Sequence, residues 1–280
     1  GKKSTKWTDS FEKFLKFIML RKRIIFTLLY DDGYFIQSRN FRRQKIGKAD
    51  WVNKNYRLDY ISNFIDELII LDISKKKNYF KFINDIQKIT KRVFVPISIG
   101  GGMNNLEKVN YYFNNGADKV VINTAVFENS ILINRIAKLY GSQSIILSID
   151  IKKIKSQHVV FINNGRTNTE TTVENYIKKI SNLMFAEIFL NSIDKDGTGN
   201  GIDKEMINKI RKFDHKYIIS GGCGNYNHFY DAFKCNKKVE AVSTANLLNF
   251  VGEGLKIVRK NLLYKKINLS PRDKTFDVNS

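Results

Sequence analysis

Proline and cysteine are nearly absent from this chain of 280 residues, at two of each, and alanine and histidine are scarce, at eight and three. Two cysteines, Cys223 and Cys235, cannot make a disulfide scaffold and fit a reducing, cytoplasmic compartment. With so little proline and no serine- or glycine-rich stretch, nothing marks a linker, and the chain reads as one domain. No run approaches the roughly 18 apolar residues that a membrane span needs. Glu12, Lys13 and Lys16 interrupt the apolar stretch near the start, which argues against a signal peptide. His158, His215 and His228 have no ligand spacing with one another or with the cysteines, so no metal and no cofactor is expected. Acidic residues are also in deficit: 27 Asp and Glu face 48 Lys and Arg, a net charge of +21. That excess invites a nucleic-acid reading, but no recognition motif accompanies it and the lysines are spread over all the helices. The 36 lysines keep company with 36 isoleucines and 30 asparagines, a drift of the whole composition and not a local footprint. A nucleic-acid partner is therefore not expected, while anionic small molecules are favoured.

What the chain does have is 42% hydrophobic and 12% aromatic residues, enough for a large core, which excludes global disorder. Short β-branched runs recur: Arg23–Leu29, Glu67–Asp72, Val95–Ile99, Lys119–Asn123, Ile145–Asp150, Glu187–Ser192, Tyr217–Ser220 and Glu240–Thr244. Stretches of helical period lie between them, such as Asn105–Asn115, Asn129–Tyr140, Glu174–Met184, Lys204–Phe213 and Asn227–Cys235. Strand–helix alternation predicts a parallel sheet, and eight such units predict an α/β fold closed into a single (β/α)8 TIM barrel. The sequence also nearly repeats at an offset of 120 to 121 residues. Glu67 is matched by Glu187, Asn123-Thr124-Ala125 by Ser243-Thr244-Ala245, and the Gly100–Gly102 run in outline by Gly221–Gly224. Two half-barrels account for this period. The barrel is expected over 19–264. Residues 1–18 carry an apolar stripe (Trp7, Phe11, Phe14, Leu15, Ile18) and read as an added helix or a remnant ahead of Met19; 265–280 read as a polar tail that frays.

In such a barrel, function sits at the C-terminal ends of the strands. Gly101 and Gly102, after the third strand, and Gly222, after the seventh, let backbone N–H groups approach a phosphate, and the following helix N-termini add positive potential. Asn123 and Thr124, and Ser243 and Thr244, end the neighbouring strands and offer donors to the same two pockets; Asp196 and Gly197 rim the second. Asp150 ends the fifth strand in an apolar run and is the candidate general acid or base. Its mate 121 residues earlier is Leu29; Asp31 and Asp32 follow in what reads as a turn, and Asp72 reads first as a strand cap. Cys223 reads as a space-filler, because no histidine is placed to activate it. At the other end, Arg23, Glu67, Lys119 and Glu187 open strands one, two, four and six. They are expected to meet on the axis as an ion-pair ring, either a structural plug or a gate.

These residues resemble the cyclase subunit of imidazole glycerol phosphate synthase. The resemblance runs from about Leu20 to Leu263 through Lys22-Arg23-Ile24-Ile25, Asp66-Glu67-Leu68, Gly100-Gly101-Gly102, Gly116-Ala117-Asp118-Lys119, Ile122-Asn123-Thr124-Ala125, Gly141-Ser142-Gln143-Ser144, Ser192–Thr198 and Ser220-Gly221-Gly222. It implies a partner glutaminase at the N-terminal face of the barrel, ammonia passing the four-charge ring and travelling the axis, and two phosphate sites at Gly102, Asn123 and Thr124 and at Asp196, Gly197, Gly222, Ser243 and Thr244. It also implies a pair of catalytic aspartates. The second corresponds to Asp150, but Leu29 stands where the first belongs, and Gln37 replaces a lysine expected in the loop after strand one. Ring and phosphate grips kept with half the acid–base pair gone resemble a branch found in surface-polysaccharide and nonulosonate pathways. There, cyclase-like and glutaminase-like subunits supply ammonia to an N-acetyl-sugar amidotransferase. The expected substrate is a phosphorylated or nucleotide-linked small molecule. A histidine-pathway cyclase, using Asp31 or Asp72, is the alternative reading.

Overall fold

The computed structural model describes residues 21–245 and 252–271. The stripe at 1–18 and the tail beyond residue 271 lie outside the described residues. Eight parallel strands form close to the expected positions: β1 (Arg23–Asp31), β4 (Glu67–Asp72), β5 (Ile97–Gly100), β6 (Lys119–Ile122), β7 (Ile145–Ile154), β10 (Glu187–Ser192), β11 (Tyr217–Ser220) and β12 (Val239–Thr244). Each pairs with the next in that order, and β12 pairs back to β1, so the sheet closes into a (β/α)8 barrel. The strands are continuous Ile/Leu/Val runs because both faces are covered. Ile25, Ile69, Val121, Ile146, Phe189, Ile218 and Ala241 fill the axis as one apolar layer. The alternate residues, among them Ile24, Phe26, Leu68 and Ile70, pack outward into the helices. The abundant asparagine has local uses: Asn78, Asn105 and Asn225 cap helices at Tyr79–Thr90, Leu106–Asn114 and Tyr226–Cys235, each accepting a first-turn N–H.

The half-barrel repeat is visible in the strands: Glu67 and Glu187, Ile97 and Tyr217, and Lys119 and Val239 begin equivalent strands 120 residues apart. Each half also carries an antiparallel hairpin that the sequence pattern did not reveal. β2 (Tyr34–Arg39) and β3 (Arg42–Gly47) continue β1, while β8 (Gln157–Ile162) and β9 (Thr167–Thr172) continue β7. Asp32-Gly33 is the turn that was expected, with both residues at positive φ. Gln37 belongs to strand β2, paired with Gln44, and not to a loop.

The expectation of a frayed tail from residue 265 is corrected for 265–271. Lys22 N–H donates to the Asn268 carbonyl (2.7 Å), Ser270 N–H donates to the Lys22 carbonyl (3.0 Å), and Ile267 and Leu269 are buried. Arg259 fastens the same seam: its guanidinium reaches Asp66 at 3.1 Å and donates to the Ser270 carbonyl. Two apolar residues in a polar segment were enough to dock it.

Candidate functional site

The C-terminal ends of the strands open on a cavity of about 540 Å³. Asp150 projects into it from β7, in register with Asn191 of β10. Asn123 Nδ2 donates to Asp150 Oδ2 at 2.9 Å and Asn191 Nδ2 to Oδ1 at 3.3 Å. Burial pushes the Asp150 carboxyl up to about 7, against these two amide donors and with help from the nearby Asp196 charge. Near neutral pH it is therefore available both as acid and as base. Leu29 lines the same cavity at the end of β1, beside its register partner Leu71, so the half-barrel mate of Asp150 is an apolar wall. Of the two alternative aspartates, Asp72 lines this cavity and Asp31 does not, and both are already engaged. Asp31 pairs with Arg43 at 2.9 Å, and Asp72 accepts from Ser74 N–H at 2.9 Å and from its hydroxyl, with Lys77 Nζ at 3.6 Å.

The expected phosphate residues gather as two unequal pockets. Gly101, Gly102, Asn123 and Thr124 line the large cavity. Gly101 has φ +123°, and a Cβ there would lie 2.3 Å from the Asp72 carbonyl oxygen, so only glycine fits. Thr124 Oγ1 accepts from Asn163 N–H at 3.1 Å and keeps its own hydrogen for a ligand. The Asn123 amide is turned to Asp150 and to Ser148 Oγ (3.4 Å). Gly197, Gly222, Ser243 and Thr244 line a second, smaller space of about 20 Å³ that shares Ser38, Asp196 and Ser220 with the first. Ser243 Oγ lies 2.6 Å from Thr27 Oγ1, and Thr244 Oγ1 donates to the Cys223 carbonyl at 3.3 Å.

Asp196 lines both spaces, as the expected rim of the second. Its Oδ2 accepts from Ser38 Oγ (2.5 Å) and Phe41 N–H (3.0 Å), its carbonyl accepts from Asn40 N–H, and its own N–H donates to Ser192. Through these bonds it ties the β2–β3 hairpin across the mouth. The positive potential expected from the helix ends behind the glycine loops is partly answered as well, since Asn105 and Asn225 already cap them. Cys223 is buried, and burial pushes its thiol up to about 12, far from a nucleophile's range.

At the opposite end of the barrel the four expected charges do meet. Arg23 bridges Glu67 and Glu187, while Lys119 Nζ lies 2.9 Å from Glu67 and 3.7 Å from Glu187. Burial disfavours the charged Arg23 and Glu67, but their neighbours outweigh it: the glutamates hold Arg23 above its usual range, and Arg23 with Lys119 holds Glu67 below its own. Two cations and two carboxylates cancel. The apolar axial layer lies between this ring and Asp150.

The profile of the family described as "Histidine biosynthesis protein" matches residues 23–252. This chain belongs to that family. It is 42% identical over 244 residues to a protein of Parasynechococcus marenigrum (strain WH8102) named "Putative imidazole glycerol phosphate synthase subunit hisF2", covering 86% of this chain and 90% of that one. It is 37% identical over 234 residues to "Imidazole glycerol phosphate synthase subunit HisF" of Chlorobium phaeovibrioides (strain DSM 265 / 1930), covering 83% and 92%. The protein of the same name from Pelodictyon phaeoclathratiforme (strain DSM 5477 / BU-1) is 34% identical over 253 residues, covering 90% and 99%. The chain is thus a HisF-like synthase subunit.

In this HisF-like barrel, sequence reasoning missed four cations that line the mouth: Arg43 on β3, Lys75 and Lys77 after β4, and Arg166 at the β8–β9 tip. Among 48 basic residues none of them stands out. Among the described residues no cluster of histidine, cysteine and acidic side chains could hold a metal ion. Among them, too, no helix is long and apolar enough to cross a membrane.

Proposed function

We propose that this HisF-like subunit receives ammonia from a partner glutaminase docked at the N-terminal face of its barrel and delivers it to the mouth, supporting amidination of an N-acetyl sugar in surface-polysaccharide or nonulosonate biosynthesis. The observation that carries this reading is the pairing of a complete ion-pair ring with a mouth that has Asp150 on one side and Leu29 on the other. Exposed apolar side chains support the docking face. Phe94, Leu139, Met184 and Tyr264 all lie in segments that close helices or lead into strands, hence at the N-terminal end of the barrel, and are 86%, 62%, 42% and 81% exposed. Between ring and mouth the axis is apolar, so neutral ammonia can pass where an ammonium ion would have to be stripped of water at high cost. At the mouth, Asp150 holds or releases one proton near pH 7. That suits accepting a proton from the incoming nitrogen, whereas a cyclisation that moves protons at two places needs a second group. Activation of the acetamido carbonyl falls to a partner sugar amidotransferase.

Histidine-pathway cyclisation is the second reading, favoured by the names of the relatives, and Asp150 would have to serve it alone. One assay separates the two. The purified subunit is given the aminoribosyl-nucleotide substrate of the histidine pathway with free ammonium, and the expected result is turnover on the order of 10²–10⁴ below a two-aspartate cyclase. Turnover at ordinary cyclase rates overturns the sugar reading. A Leu29→Asp variant is expected to recover part of the loss.

A further inference from the structure

The cations at the mouth are not spread evenly. Arg43, Lys75, Lys77 and Arg166 all line the large cavity, and among the described residues none lines the small one. They come from three separate segments that the fold ties together. Asn164 Nδ2 donates to the Ile73 carbonyl (3.2 Å) and Asn163 N–H to Thr124 Oγ1 (3.1 Å), so the tip that carries Arg166 lies against both the loop that carries Lys75 and the first phosphate pocket. Arg43 is close enough to Lys77 to add to the burial that depresses its ammonium. The Lys77 stem packs on Gly102, where a Cβ would come within 2.9 Å of it. Two of the four charges are answered, Arg43 by Asp31 and Lys77 by Asp72. Lys75 and Arg166 are solvent-exposed and have no ion-pair partner among the described residues.

We infer that this wall is a second anion subsite beside the Gly101–Gly102 pocket, and that together they take a diphosphate: one phosphate on the glycine loop and Thr124, the next against Lys75 and Arg166. Two exposed cations without an ion-pair partner, beside two that are paired, fit two bridged phosphates better than one. The inference rests on the reading above only for the sugar, which would arrive as a nucleotide-linked compound. The diphosphate itself follows from the wall alone.

The test compares inorganic pyrophosphate with orthophosphate by calorimetric titration at low salt, on the full chain and on a Lys75→Gln, Arg166→Gln double variant. Both side chains are exposed, so the variant keeps its fold. Pyrophosphate is expected to bind about 10-fold tighter than orthophosphate, and the double variant to lose about that factor for pyrophosphate alone. Equal affinity for the two anions, or an unchanged pyrophosphate affinity in the variant, overturns the subsite. A third arm uses UDP-N-acetylglucosamine and N-acetylglucosamine 1-phosphate. Tighter binding of the former supports a nucleotide-linked sugar. If pyrophosphate binds as expected and the nucleotide sugar does not, the subsite stands and the sugar reading fails.

Discussion

Asp150 and Leu29 occupy equivalent positions on β7 and β1, and both line the mouth, one charged and one apolar. The sequence put Asp150 at the end of its strand; the structure carries β7 on to Ile154, because the chain continues into the hairpin with β8, and Asp150 sits where the barrel part of the strand meets the mouth. The sequence could not say that Asn123 and Asn191 would hold the carboxylate, since the direction of an amide side chain depends on its neighbours across the barrel. An Asp150→Asn variant should lose on the order of 10²-fold or more in turnover while still binding substrate, read as a fall in kcat with little change in KM. It should also change stability with pH. The Asp150 carboxyl has a folded pKa raised to about 7, so its contribution to stability is fully present below the ordinary carboxylate range and is lost as pH rises through 7. The variant should therefore melt higher than the parent at pH 8 and gain nothing at pH 4, a gap on the order of a few kcal/mol. Parallel melting curves at both pH values would contradict the buried, half-protonated state.

Among the elements, the eight strands were legible because buried parallel strands must be apolar on both faces, and runs such as Arg23–Leu29 and Tyr217–Ser220 have little else to be. The two hairpins were not. β3 and β9 are polar stretches with no apolar alternation to announce them, while the apolar Tyr34–Ile36 of β2 and Val159–Ile162 of β8 follow β1 and β7 too closely for a helical crossover between parallel strands. Phe41 shows how closely the first hairpin is fixed. It has φ +62°, uncommon for a bulky residue, and sits against Gly165 of the other hairpin while its N–H donates to Asp196. Asp196→Ala would leave Ser38 and Phe41 without their acceptor, at a cost of about 1–3 kcal/mol. The expected readout is faster amide exchange at 34–47, with the barrel strands unchanged. An equal loss of protection throughout would mean that the hairpin is not a separate unit.

For the molecule as a whole, the closed barrel and its doubling were readable from alternation and from matches such as Glu67 with Glu187. The ring could be placed at the bottom because all four charges open strands. Whether it acts as a gate is settled by function. With the glutaminase bound, Lys119→Ala should change glutamine-dependent turnover and leave turnover with free ammonium, and phosphate binding at the mouth, as they were. No change in either would leave the ring a plug. Arg259→Met, by contrast, should only destabilise. Asp66 would be left buried with its cation gone, which typically costs about 3–5 kcal/mol, read as a lower melting temperature.

The hairpins cross over. Asn40, on the first half, donates to the carbonyls of Ile193 and Asp194 on the second, and Asn164, on the second, donates to Ile73 on the first. Each duplicate therefore keeps its handle in the other's keeping. A chain severed between Tyr140 and Gly141 would yield two pieces, each with a raw sheet edge and an arm that fits only its counterpart. Mixed, they should find one another as a single stoichiometric pair; kept apart, each would cling to copies of itself.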